Sequence, residues 1–187
     1  SMRDLSKYKE LRVQAAALYG DGEKALDIDT DSFLESLEQA FYFSMIVAYA
    51  QGMHLLSRAS EEYKYDLKLG EIAKIWRGGC IIRSAFLNDI FKAYEKTPGL
   101  AHLLLDDSIH AIVSETVKGS RAVLSATIAA GIAAPCFTAS ISYFDNFINK
   151  RMPSNLIQAQ RDYFGAHTYE LIGKEGVFHT QWAEKQS

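Results

Sequence analysis

The segment Arg151-Met-Pro-Ser-Asn155-Leu-Ile-Gln158-Ala-Gln160-Arg161-Asp162-Tyr163-Phe-Gly165-Ala-His167-Thr168-Tyr169-Glu170 decides how this chain is read. Pro153-Ser154-Asn155 opens it as a helix, and its residues make one amphipathic stretch. Arg161, His167, two glutamines and two tyrosines are more polar chemistry than a helix needs merely to pack. Arg161 and His167 stand six residues apart. In a straight helix that is about 9 Å along the axis, with the two side chains well round from one another. Gly165 between them can end or bend the helix and bring them together. An arginine beside a histidine suits a phosphate or carboxylate, because the guanidinium offers a planar fork of donors and the imidazole adds another. The ordinary alternative is a surface Arg161 paired with Asp162 and a satisfied core His167. Spacing alone favours that alternative.

Outward from this segment the same helical spacing dominates, and the reading is all-α. Prolines occur only at 98, 135 and 153, and no run alternates apolar and polar residues long enough for a half-buried strand. A first amphipathic helix is expected over residues 3–18, stopped by Gly20-Asp21-Gly22, with an acidic loop over 23–30. Thr30, Asp31 or Ser32 can cap a long helix reaching about Tyr65. Further helices are expected over 70–76, about 82–94, 107–130 and 135–149, with a short helical piece at 100–105. Asp106-Asp107 reads as the cap of the 107–130 helix rather than a Mg²⁺ site. Gly173 and Gly176 loosen the chain before an aromatic tail, Phe178-His179-Thr180-Gln181-Trp182, which is expected to dock, a partner subunit being the natural seat.

Composition sets outer limits. At 187 residues the chain can bury one sizeable core, and 48% apolar with 23% charged residues is ordinary for a globular protein. A net charge of -3 provides no basic excess for nucleic acid and no polybasic block for an anionic membrane. Residues 39–57 carry no Asp, Glu, Lys or Arg, close to the ~20 residues of a spanning helix. Gln51, Gly52, His54 and Ser44 within that run argue for a buried core helix instead. Cys80 and Cys136 are read as reduced, buried thiols of a cytoplasmic protein, and the chain has no His-Glu-x-x-His and no Glu-x-x-His pair of the metal-binding type. The start shows no signal peptide, and Ser1-Met2 reads as a cloning scar ahead of a cut inside a longer protein. Trp76-Arg77-Gly78-Gly79-Cys80-Ile81-Ile82-Arg83 could offer backbone N–H groups to an anion, but it lacks P-loop spacing and reads better as a tight helix–helix turn. Read from its residues alone, the chain is a helical domain with one candidate anion site and no complete catalytic set.

Asn155–Glu170 and Trp76–Ser84 resemble the C-terminal helical domain of the 6-phosphogluconate dehydrogenase family, the decarboxylating enzymes of the pentose phosphate pathway. Ala50-Gln-Gly52, Pro98-Gly-Leu100, Leu104-Leu-Asp106, Pro135-Cys-Phe-Thr138 and Phe178-His-Thr180 extend the resemblance over nearly the whole chain, in the family's order. It implies a helical substrate-binding and dimerisation domain over residues 1–172 with an extended C-terminal tail over 173–187. It places an NADP-binding Rossmann domain, and the family's catalytic lysine and glutamate, upstream of Ser1, so that the chain holds no catalytic residue and is inactive alone. By the same resemblance Arg161 and His167 bind 6-phosphogluconate in the neighbouring subunit of a homodimer, the arginine chiefly at the phosphate. Arg3, followed by Lys9, Arg12 and Ala15, matches a further phosphate-binding arginine. Ser120-Arg121, where the family often has Trp-Arg, and Ala133-Ala134 before Pro135 look like packing differences. The chemistry implied is hydride transfer from C3 of the substrate to NADP, loss of CO₂ from the 3-keto acid and protonation of the enediol to ribulose 5-phosphate, with no metal. The competing reading is a stand-alone helical oligomerisation or binding module without catalysis.

Overall fold

The charge-free run at 39–57 lies inside one very long helix of the first part of the chain. A computed structural model describes residues 2–20, 25–26 and 28–182. Among them are helices α1 (Met2–Ser6), α2 (Lys9–Tyr19), α3 (Thr30–Tyr63), α4 (Leu69–Arg77), α5 (Leu87–Lys96), α6 (Asp107–Ala129), α7 (Pro135–Phe147) and α8 (Asn155–Gly165). A 3₁₀ turn spans Leu103–Leu105, and two short strands, β1 (Tyr169–Glu170) and β2 (Val177–Phe178), pair antiparallel. The architecture is the expected helical one, and no helix of the described residues is long and apolar enough to cross a membrane. The chain divides into two compact units, residues 1–143 and 144–187.

The first unit is built on α3 and α6. Ala40, Phe43, Ile46, Val47, Ala50 and Met53 are buried at three- and four-residue steps, which puts them on one stripe of α3. The facing stripe of α6 buries Ile109, Val113, Val123 and Leu124 among small polar residues Thr116, Ser120 and Thr127. Those hydroxyls each donate to a carbonyl of their own helix, so their burial leaves no unmet donor. Asp106 caps α6 as expected: its carboxylate accepts from the amides of Ser108 at 3.0 Å and Ile109 at 3.1 Å. The cap of α3 is Asp29, accepting from Ser32 N–H at 2.9 Å, one residue earlier than the candidates read from sequence.

Several boundaries differ from expectation. The helix expected from Ile82 begins at Leu87 instead. Residues ahead of it are held by tertiary contacts: Tyr49 donates its hydroxyl to the Ile82 carbonyl, and Phe86 is buried with its ring against Tyr42 and Tyr49. The single helix expected over 3–18 is two, because Lys7 and Tyr8 close onto Asp4 and Leu5 through i→i−3 bonds that end the first. No residue of α2 is buried. Of the acidic loop expected over 23–30, residues 23, 24 and 27 lie outside the described residues, and Thr30 already belongs to α3. Both cysteines are exposed rather than buried: Cys80 follows the Gly78-Gly79 break, its thiol donating to the Trp76 carbonyl at 3.1 Å, and Cys136 stands in the first turn of α7.

The second unit carries α8 and the small hairpin. Tyr169 pairs with Phe178 and Glu170 with Val177. Two-residue strands have no period to display, so alternation in the sequence could not announce them.

Candidate functional site

The end of α8 gathers most of the residues singled out by the sequence. Gly165 is the last helical residue, and Ala166 follows in the left-handed conformation (φ 50°, ψ 42°), its N–H closing onto the Asp162 carbonyl at 2.9 Å. The helix therefore stops where the sequence suggested, and His167 is carried off the axis into the loop. The His167 ring folds back over Gly165: a Cβ there would lie 3.2 Å from its Cδ2 and Nε2, so a bare α-carbon lets the imidazole sit close. Thr168 also takes a left-handed backbone (φ 60°), a costly conformation for a β-branched residue.

That conformation is held at both backbone groups. Thr168 N–H donates to Asp162 Oδ1 at 2.9 Å, and the Gln158 side-chain amide donates to the Thr168 carbonyl. The same Gln158 accepts from Arg161 Nη1 at 3.3 Å through its Oε1. One glutamine thus ties the guanidinium of Arg161 to the loop that bears His167. Arg161 and His167 are otherwise exposed. Two cationic or proton-donating groups at a helix C-terminus are also favoured by the axial dipole.

Asp162 does not pair with Arg161. Adjacent helical residues point about 100° apart, and this turns Asp162 inward, where it is fully buried. Its Oδ1 accepts from Thr168 N–H and His179 Nδ1, each at 2.9 Å; its Oδ2 accepts from Thr180 N–H at 3.0 Å and Trp182 Nε1 at 2.9 Å. Burial by itself pushes the carboxyl pKa up, but the four donors outweigh it and hold Asp162 well below the ordinary carboxylate range. The tail accordingly has a seat within its own chain. The Trp182 ring stands edge-on to Tyr163 at 5.8 Å between centroids, and the Tyr169 and Thr180 hydroxyls meet at 2.6 Å.

Arg3 belongs to the other unit, exposed on α1, where its carbonyl accepts from the Ser6 hydroxyl at 2.6 Å. Two clefts of that unit, of about 890 and 450 Å³, have none of Arg3, Arg161 and His167 in their walls. Among the described residues no group of three or more His, Cys, Asp or Glu could hold a metal ion. Gln158, Thr168, His179 and Trp182 escaped the sequence reading as parts of this site. The one local signal was the i,i+4 spacing of Gln158 and Asp162, which puts both on the face turned toward the loop.

A sequence model of the 6-phosphogluconate dehydrogenase C-terminal domain matches residues 1–182. The chain belongs to the 6-phosphogluconate dehydrogenase family. A decarboxylating 6-phosphogluconate dehydrogenase of Staphylococcus aureus (strain N315) is 48% identical over 183 residues, covering 98% of this chain and 39% of the relative. An NADP(+)-dependent, decarboxylating member from Bacillus subtilis (strain 168) is 47% identical over 181 residues, and one from Rattus norvegicus 49% over 182. Among solved structures, Plasmodium falciparum 6-phosphogluconate dehydrogenase, determined in its apo form and in complex with its cofactor NADP+ and its substrate 6-phosphogluconate, matches with a TM-score of 0.88 at 40% identity, over 96% of this chain and 39% of that one. The chain thus spans about two fifths of the length of these family members, and it corresponds to their helical C-terminal domain.

Proposed function

We propose that this chain is the substrate-anchoring and dimerisation part of an NADP-dependent 6-phosphogluconate dehydrogenase, a cytoplasmic enzyme that oxidatively decarboxylates 6-phosphogluconate to ribulose 5-phosphate. The observation that carries the site assignment is the fixed helix end at Gly165, where Gln158 braces the exposed guanidinium of Arg161 on α8 and, with Asp162, holds Thr168 of the loop that bears the exposed His167. Arg161 would grip the substrate phosphate through its fork and His167 would add a donor beside it, with Arg3 as a second phosphate arginine. Anchoring the phosphate fixes the distant C3 carbon in register for hydride transfer, which is how binding energy far from the reacting atoms lowers the barrier. NADP accepts the hydride in the parent enzyme; the residues here contain no Gly-x-Gly-x-x-Gly fingerprint, so their part is binding and orientation.

Residues 1–172 form the binding and dimerisation domain in this proposal and residues 173–187 its tail, with Arg161 and His167 serving the partner subunit of a homodimer. Exposed apolar side chains support an unfilled interface: Leu156 is 83% exposed and Phe164 75%, and Trp182 is partly exposed. Replacing Arg161 with alanine in the full-length enzyme should raise KM for 6-phosphogluconate ~10–100-fold, the worth of a charged hydrogen bond, with a smaller change in kcat. An unchanged KM would remove Arg161 from the site. The chain alone should not reduce NADP in the presence of substrate, and measurable turnover would overturn that part of the proposal.

A further inference from the structure

We infer that Asp162 is a positioning residue for substrate anchoring: it clips the C-terminal tail, through His179, Thr180 and Trp182, to the loop that carries His167, and so sets the geometry of Arg161 and His167. The inference rests on the assignment of those two residues to the substrate.

Three observations carry it. Asp162 is fully buried, and its oxygens accept from four N–H donors, three of them from residues 179–182 and the fourth from Thr168. Secondly, Thr168 occupies a left-handed conformation that a free loop would abandon. Its N–H is held by Asp162 and its carbonyl by Gln158, and the second of these also holds Arg161. Without the carboxylate, the His167–Thr168 peptide loses the acceptor that fixes its N–H, Thr168 can relax toward φ < 0, and the placement of His167 loosens with it. Thirdly, the tail residues make no other polar link to α8 among those described, save through the same carboxylate; the hairpin and the Tyr169–Thr180 hydroxyl contact join them to the loop instead. One side chain therefore makes the polar coupling of the tail to α8, the helix that bears Arg161.

An amide cannot replace this carboxylate. An asparagine in its place would have one accepting oxygen for four donors and would turn an N–H₂ group against two of them. The experiment compares Asp162→Asn, Trp182→Phe and Arg161→Ala in the full-length enzyme. Trp182→Phe removes one donor and keeps a ring against Tyr163. The expected result is a KM for 6-phosphogluconate raised ~10-fold by Asp162→Asn and ~3-fold by Trp182→Phe, with kcat within about twofold and KM for NADP unchanged. A purely structural role would lower active enzyme or disturb both substrates, and that pattern overturns the inference. So does a 6-phosphogluconate KM within twofold of the parent in both variants. Should Asp162→Asn fail to fold, Trp182→Phe decides alone. Arg161→Ala separates the two layers: if it raises KM while the other two do not, only the clip is wrong; if it too leaves KM unchanged, the site assignment itself has failed.

Discussion

Gly119 of α6 lies against Gln39 of α3 with no room for a methyl group: a Cβ at Gly119 would stand 2.4 Å from Gln39 Oε1, 2.8 Å from Gln39 Cβ and 3.0 Å from the Ser36 carbonyl oxygen. The amide end of Gln39 can swing away, but its Cβ and the Ser36 backbone cannot. The two long helices of the first unit therefore meet closely at a position where one of them has no side chain.

Gly119→Ala should accordingly destabilise the chain by ~1–2 kcal/mol, an overpacking penalty of ~1–3 kcal/mol lessened by the better helix propensity of alanine. Gly52→Ala, in α3 with nothing within 4 Å of its new Cβ, should do the reverse and stabilise by ~0.5–1 kcal/mol. Urea denaturation midpoints of the two variants check the opposite signs, and a stabilising Gly119→Ala would contradict the close approach.

His102 should make the first unit acid-sensitive in a mild range. It is buried, its Nδ1 accepts from Leu104 N–H at 3.2 Å, and its Nε2 consequently carries the proton and donates to the Tyr143 hydroxyl at 2.9 Å. Burial, followed by the neighbouring His54, lowers its pKa from 6.5 to about 4. Between those values the unfolded chain binds a proton that the folded chain refuses, so falling pH favours unfolding. The contribution is fully present above pH 6.5, is lost down to about 4, and amounts to ~3 kcal/mol at most. Urea midpoints from pH 7 to pH 4 should show that slope, and His102→Asn should flatten it.

Asp162 should behave in the opposite part of the scale. Its folded pKa lies below the unfolded 3.8, so its contribution is complete above 3.8 and is lost only as pH falls through the folded value. With Trp76 replaced by phenylalanine, Trp182 alone reports on the clip. Its emission should stay constant from pH 7 to pH 4 and shift to the red only in stronger acid. A shift between pH 6.5 and 4 would mean that the tail is held by something other than this carboxylate.

Both thiols should react with Ellman's reagent in the folded chain, since Cys80 and Cys136 are exposed. Two equivalents released without denaturant is the expected reading; fewer than two would show one of them covered.

The helical class, the long α3, the Asp106 cap and the stop at Gly165 were legible in the residues because each rests on local chemistry: apolar spacing, a capping side chain, a glycine. The family was legible for a different reason, since Asn155–Glu170 and Trp76–Ser84 are long specific strings. The start of α5 was not, because Tyr49 and Phe86 settle it from outside the segment. Exposure of the cysteines depends likewise on which face each element turns outward. Above all, Asp162 in the sequence is simply the neighbour of Arg161, available for an ion pair. Only folding, by turning consecutive residues about a helix axis and bringing residues 179–182 back across it, parts the two: Arg161 is left to solvent and Asp162 becomes the buried acceptor of the tail. Helical spacing is written into the chain at three or four residues' range, whereas a contact between residues twenty apart exists only once the turn between them has closed.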